Sequence, residues 1–144
     1  MGTEATEVMA ETTETLNEIL ANLRKKYNRM NQLMEQTKEL DKAARMNDGV
    51  SFEMSLDMRW KTMSAVDQLD HENRQLISSL PELIQLQVRK LLHPREEAVE
   101  PERELERDIC NMQRQILSTV QKIITLDDDV RKRTGNSMKR STNK

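Results

Sequence analysis

Leu16, Leu20, Leu23, Tyr27, Met30 and Met34 recur at spacings of 4, 3, 4, 3 and 4. That alternation follows the turn of an α-helix and sets all six side chains on one stripe. Ile19, Leu33 and Leu40 widen the stripe, which fits contact with more than one neighbour. Neither Pro nor Gly interrupts residues 3–46, so the spacing predicts a single long helix there. The rest of the chain offers no competing architecture. Aromatic residues are 2% of the sequence, and Gly and Pro number three each. An all-β fold needs more turns and more aromatic or β-branched residues than this. A doubly wound α/β enzyme needs Gly-rich turns that are missing.

Asn47-Asp48-Gly49 predicts the first reversal, with Gly49 supplying the positive φ that closes a helix. A second seam follows: Phe52, Leu56, Trp60, Met63, Val66, Leu69, Leu76 and Leu80. Ser79 and Glu82 have capping-box spacing around Pro81, which predicts a break near 79–81 and a restart. Leu83, Ile84, Gln87, Val88 and Leu91 carry the restart, and His93-Pro94 ends it. Residues 94–101 form a linker framed by two prolines. The last helix is expected over 101–134, closed by Gly135, with a basic disordered tail at 135–144. Residues 3–46 and 50–92 are nearly equal in length and joined by a short turn, which favours an antiparallel pair. The expected fold is therefore all-α. It is an elongated antiparallel helical hairpin plus a third long helix, a three-helix bundle within a single domain, 1–134.

Net charge is −2, which gives no overall pull toward nucleic acid or anionic membrane. The distribution is uneven. Glu4, Glu7, Glu11, Glu14 and Glu18 stand in residues 1–22 without a base, and Arg131, Lys132, Arg133, Lys139, Arg140 and Lys144 end the chain without an acid. Complementing the helix dipoles is the simplest reading of that asymmetry. The one cysteine, Cys110, has no internal disulfide partner and sits in a helical pattern, so a buried thiol in a reducing compartment is expected. No apolar run reaches the roughly 18 residues a membrane span needs, and no signal peptide opens the sequence. A cytoplasmic protein is the expectation.

Chemistry is sparse. His71 and Asp67 are four apart and share a helix face, yet a third and fourth metal ligand are missing. Asp127, Asp128 and Asp129 are adjacent, so on a helix they point in different directions and read as a solvated acidic patch. No phosphate-binding loop and no nucleophile–base set is present. We expect no catalysis, no cofactor, no bound metal and no small-molecule substrate. Ten methionines are the one unusual abundance. Methionine fills irregular cores, and it also suits surfaces that adapt to partners. Met54 and Met58, with Phe52, Leu56 and Trp60, put apolar residues on nearly all sides of one helix start, more than a single seam can bury.

Two segments carry a family pattern. Ala44-Arg45-Met46-Asn47-Asp48-Gly49, followed by Phe52, Leu56, Arg59, Met63, Val66, Leu69 and Asp70, resembles the first hairpin of bacterial flagellar type III export chaperones of the FlgN/FliT kind. Ile116, Val120, Ile123, Leu126 and Asp127 resemble that family's closing run of spaced Ile and Leu ending at Leu-Asp. The likeness covers about half the chain. It implies a small cytoplasmic helical chaperone that holds an unassembled filament-associated subunit, often by its terminal helix, and delivers it for export.

The residues by themselves are compatible with helix-in-groove capture of a protein partner. The stripe expected to serve is Leu105, Ile109, Met112, Ile116, Val120 and Ile123, on the helix that the linker sets apart. A coiled-coil subunit of a hetero-oligomeric scaffold or tethering complex is the alternative, and homo- or hetero-oligomers fit either reading. The basic tail as an adaptor for nucleic acid or another acidic partner is a third, weakened by the absence of aromatics there for base stacking.

Overall fold

The computed structural model describes residues 2–94, 101 and 103–142, with side chains from residue 4 to residue 135 of these. Among the described residues there is no strand and there are four helices: α1 (Gly2–Arg45), α2 (Gly49–Ser78), α3 (Glu82–Leu91) and α4 (Glu104–Thr142). The protein is all-α. The expected linker lies largely outside the described residues. The chain divides into two compact units. The first comprises Met1–Tyr27 and Asp67–Ile116, and the second Asn28–Val66 and Leu117–Lys144.

The first reversal forms where the sequence places it, by a different residue. Asn47 holds the positive φ, at 53°, and Gly49 lies inside α2 with an ordinary φ. Asn reaches the left-handed region at small cost because its short polar side chain bonds locally. The Asp48 N–H donates to Ala43 O at 3.0 Å and the Asn47 N–H to Ala44 O at 3.4 Å, the paired bonds of a Schellman closure. Asp48 then starts α2. Its Oδ1 accepts the Ser51 backbone N–H at 3.1 Å and its Oδ2 the Ser51 hydroxyl at 2.7 Å. These two bonds, the hydroxyl first, hold the Asp48 carboxyl below its ordinary value. A depressed carboxyl stabilises the fold above its unfolded value of 3.8, and that contribution fades as pH falls through the lower folded value. Asp48→Ala is therefore expected to lower the thermal midpoint at pH 7, with the gap to wild type closing below about pH 4. Circular dichroism melts across pH check this, and a gap that persists unchanged at pH 2.5 would contradict it.

The break at Pro81 occurs as expected, but the capping box does not form. Pro81 itself occupies the N-cap position of α3, without a side-chain cap. The Ser79 hydroxyl turns back to Leu76 O at 2.6 Å. Gln85 reaches back instead and donates its amide to Leu80 O at 2.7 Å, satisfying a carbonyl of the break. At the other end, α4 continues through Gly135 to Thr142, past the glycine expected to close it and into the residues expected to be disordered. Gly135 has no positive φ, and a glycine within a helix costs only about 1 kcal/mol relative to alanine.

The two units have different interiors. In the first, the buried apolar set includes Leu16, Ile19, Leu20 and Leu23 of α1, Ile77 of α2, Val88 and Leu91 of α3, and Ile109 and Ile116 of α4. Asn22 donates to Asn73 Oδ1 at 3.0 Å and Lys26 to Asp70 Oδ1 at 2.7 Å. As numbers rise along α1 they fall along α2, so these segments run antiparallel. Among the described residues of the second unit the buried apolar side chains are six, Leu33, Leu40, Ala43, Val66, Ile123 and Val130. An equal number of buried residues there are polar: Gln36, Thr37, Asp41, Ser55, Thr62 and Thr119.

Candidate functional site

The stripe expected to meet a partner is largely interior. Ile109, Ile116 and Ile123 are 0%, 1% and 6% exposed, and Leu105, Met112 and Val120 are half-buried. Residues 105–116 of this stripe share the first unit with α3, whose Val88 and Leu91 are buried there. Gln113 of α4 donates to Leu92 O at 3.0 Å, tying α4 to the end of α3. A partner could reach Leu105, Met112 and Val120 from outside. Ile109, Ile116 and Ile123 are already covered by this chain, and for those three the expectation is corrected.

The densest run of exposed large apolar side chains among the described residues lies on the first half of α2 instead, with Leu83 and Leu86 of α3 exposed as well. Val50, Met54, Leu56, Met58 and Trp60 are between 42% and 73% exposed, and Met63 follows at 37%. Here the expected seam is corrected by one residue. Leu56, Trp60 and Met63 are exposed, and in their place α2 turns Ser55, Arg59 and Thr62 inward, between half-buried Phe52 and buried Val66, which keep the expected side. One residue is about 100° around a helix, enough to take the apolar side chains to the flanks. Val50, Met54 and Met58, four apart, line one flank, and Leu56, Trp60 and Met63 the other.

Paired polar groups allow this inverted face. Arg59, with a side chain only 12% exposed, places Nη2 2.9 Å from Asp127 Oδ1 and 3.0 Å from Oδ2. Asp127 is thus an internal counterion rather than part of a solvated patch, while Asp128 and Asp129 are exposed. The Thr62 hydroxyl donates to Met58 O at 3.1 Å within its own helix. Buried Asp41 takes Arg133 Nε on one oxygen and Arg45 Nη2 on the other, both at 2.8 Å. Arg133 therefore has a structural role distinct from that of a basic tail. Among the described residues three buried side-chain atoms have no hydrogen-bond partner: Gln36 Oε1, Arg59 Nε and Gln113 Oε1. Sequence reasoning did not anticipate this network. Its signal was present as polar residues at seam register, Asp41 beside Leu40 and Arg59 between Leu56 and Met63.

Among the described residues no group of three or more His, Cys, Asp or Glu side chains could hold a metal ion. His71 and Asp67 are exposed, and Cys110 is buried. His93 places Nδ1 2.8 Å from Arg89 O beyond the end of α3. No helix of the described residues is long and apolar enough to cross a membrane. No protein-family model, curated protein or solved structure matches this chain.

Proposed function

We propose that this protein is a non-catalytic binding protein that captures a helix of a partner protein, and that the first half of α2 is its capture surface. One observation carries the reading: α2 turns Ser55, Arg59 and Thr62 inward and leaves Val50, Met54, Leu56, Met58 and Trp60 in water. Exposing that many large apolar side chains within about three turns works against solubility unless a partner covers them. Methionine and tryptophan fit the role, the first because its thioether repacks around varied shapes and the second because its large ring anchors interfaces.

The finer reading is a cytoplasmic flagellar export chaperone that holds a filament-associated subunit, with the first two helices as an antiparallel hairpin and the last helix as its third member. Its support is the resemblance in sequence, together with the place of the charged residues that carry it. Arg59 and Asp127 belong to the two separate segments of that resemblance, and they are ion-paired with each other. Asp70, from the first segment, pairs with Lys26 at 2.7 Å.

The test is co-expression with each filament-associated subunit encoded in the source genome, followed by size exclusion. A stable complex is expected. It should be lost in the double variant Met54→Asp/Trp60→Asp, whose circular dichroism should match wild type because both side chains are more than half exposed. Undiminished binding by that variant would remove α2 from the interface. A complex formed only with a non-flagellar coiled-coil protein would favour the scaffold-subunit alternative.

A further inference from the structure

On the Val50–Met54–Met58 flank of α2, the second unit contains an open groove of about 380 Å³ between α2 and α1. Met54 and Met58 line it from α2, and Glu35, Gln36 and Glu39 from α1. Its apolar and charged parts are segregated, with thioethers on one wall and carboxylates on the other, and no basic side chain lines it. Lys38 engages Glu35 at 3.1 Å, and among the described residues Glu39 has no ion pair. Gln36 is only 8% exposed, and its side-chain oxygen has no hydrogen-bond donor. A buried amide oxygen without a donor is a standing cost to the free protein, which an incoming donor relieves.

We infer that this groove selects its occupant by charge: the partner is an amphipathic helix that packs a large apolar side chain against Met54 and Met58 and carries lysine or arginine on the edge facing α1. The inference rests on the helix-capture reading above and adds the chemistry of the captured helix. An acidic wall repels a helix with glutamate on that edge and attracts one with lysine or arginine. A basic side chain brings donors and no acceptor, which is what Glu39 and the Gln36 oxygen both lack. The methionine side chains, unbranched and with three rotatable bonds, can move to admit it. The opposite flank, with Leu56, Trp60 and Met63, supplies apolar contact without this discrimination.

The probes are three fluorescein-labelled synthetic peptides of 18 residues with one shared leucine stripe. They carry lysine, glutamine or glutamate at the positions flanking it, and are titrated by anisotropy against the full chain. The lysine peptide is expected to bind at least tenfold more tightly than the glutamate peptide, with the glutamine peptide between them. The preference should shrink as salt rises, because the wall is exposed to solvent. Glu35→Lys/Glu39→Lys, at two exposed positions, should reverse the preference, and circular dichroism should show its helices intact. Gln36→Leu should leave the fold at least as stable and narrow the preference. Met58→Ser, which removes a thioether from the groove wall, should weaken all three peptides alike. Equal binding of the lysine and glutamate peptides, or a preference unmoved by Glu35→Lys/Glu39→Lys, overturns the charge selection and leaves helix capture standing. Binding of none of the three overturns both. Self-association of the chain that is lost in Met54→Asp also overturns the inference, because it makes a second copy the occupant.

Discussion

Ile116→Asp is expected to unfold the chain with no partner present. Ile116 is 1% exposed in the interior of the first unit. Losing its burial costs about 2–3 kcal/mol. A carboxylate at that position adds a desolvation penalty of several kcal/mol, or a proton uptake of comparable cost. A domain of ordinary stability holds about 5–15 kcal/mol in total, so little or nothing remains. Ile116→Val, which removes one methylene, should cost only about 0.5–1.5 kcal/mol. Thermal melts followed at 222 nm separate the two. A cooperative melt near wild type for Ile116→Asp would mean that the α4 stripe opens to solvent, and it would return Leu105, Ile109, Met112, Ile116, Val120 and Ile123 to the binding face.

Asp127→Ala should destabilise the second unit by about 2–4 kcal/mol, more than its modest exposure suggests. The aspartate is the counterion of Arg59, whose side chain is 12% exposed and whose Nε already lacks a partner. Removing Asp127 strands a guanidinium in a site with little water, and breaking such a pair from one side is what costs most. Replacing both partners with apolar residues of similar size, Arg59→Met/Asp127→Leu, should recover most of the loss, because no charge is then left to solvate. For comparison, Glu35→Ala breaks the exposed pair with Lys38 and should change stability by less than about 1 kcal/mol. Urea denaturation of the three variants and wild type gives the comparison. A double variant as unstable as Asp127→Ala would show that the pair is needed for its geometry, not merely for neutrality.

These two expectations divide along the line between sequence and structure. The 3–4 spacing of Leu16, Leu20 and Leu23 determines that α1 is a helix and which side it buries, because an apolar stripe on a fixed helical pitch has one low-energy face. Asn47-Asp48-Gly49 and Pro81 determine where the chain breaks, since backbone closure and the missing proline N–H are local properties. The excess of apolar residues at the start of α2 was equally legible from counting. Its inward face was not. Leu56, Trp60 and Met63 make a better apolar seam than Ser55, Arg59 and Thr62, and local pattern alone favours the first. The choice is made by Asp127, 68 residues away along the chain, whose carboxylate can hold Arg59 in the interior. Pairing at such separation depends on how α4 lies beside α2, and no window of sequence contains it. The same reason put Ile109, Ile116 and Ile123 inside. A stripe at helical spacing records that something will cover it, and only the tertiary structure decides whether the cover is this chain or another.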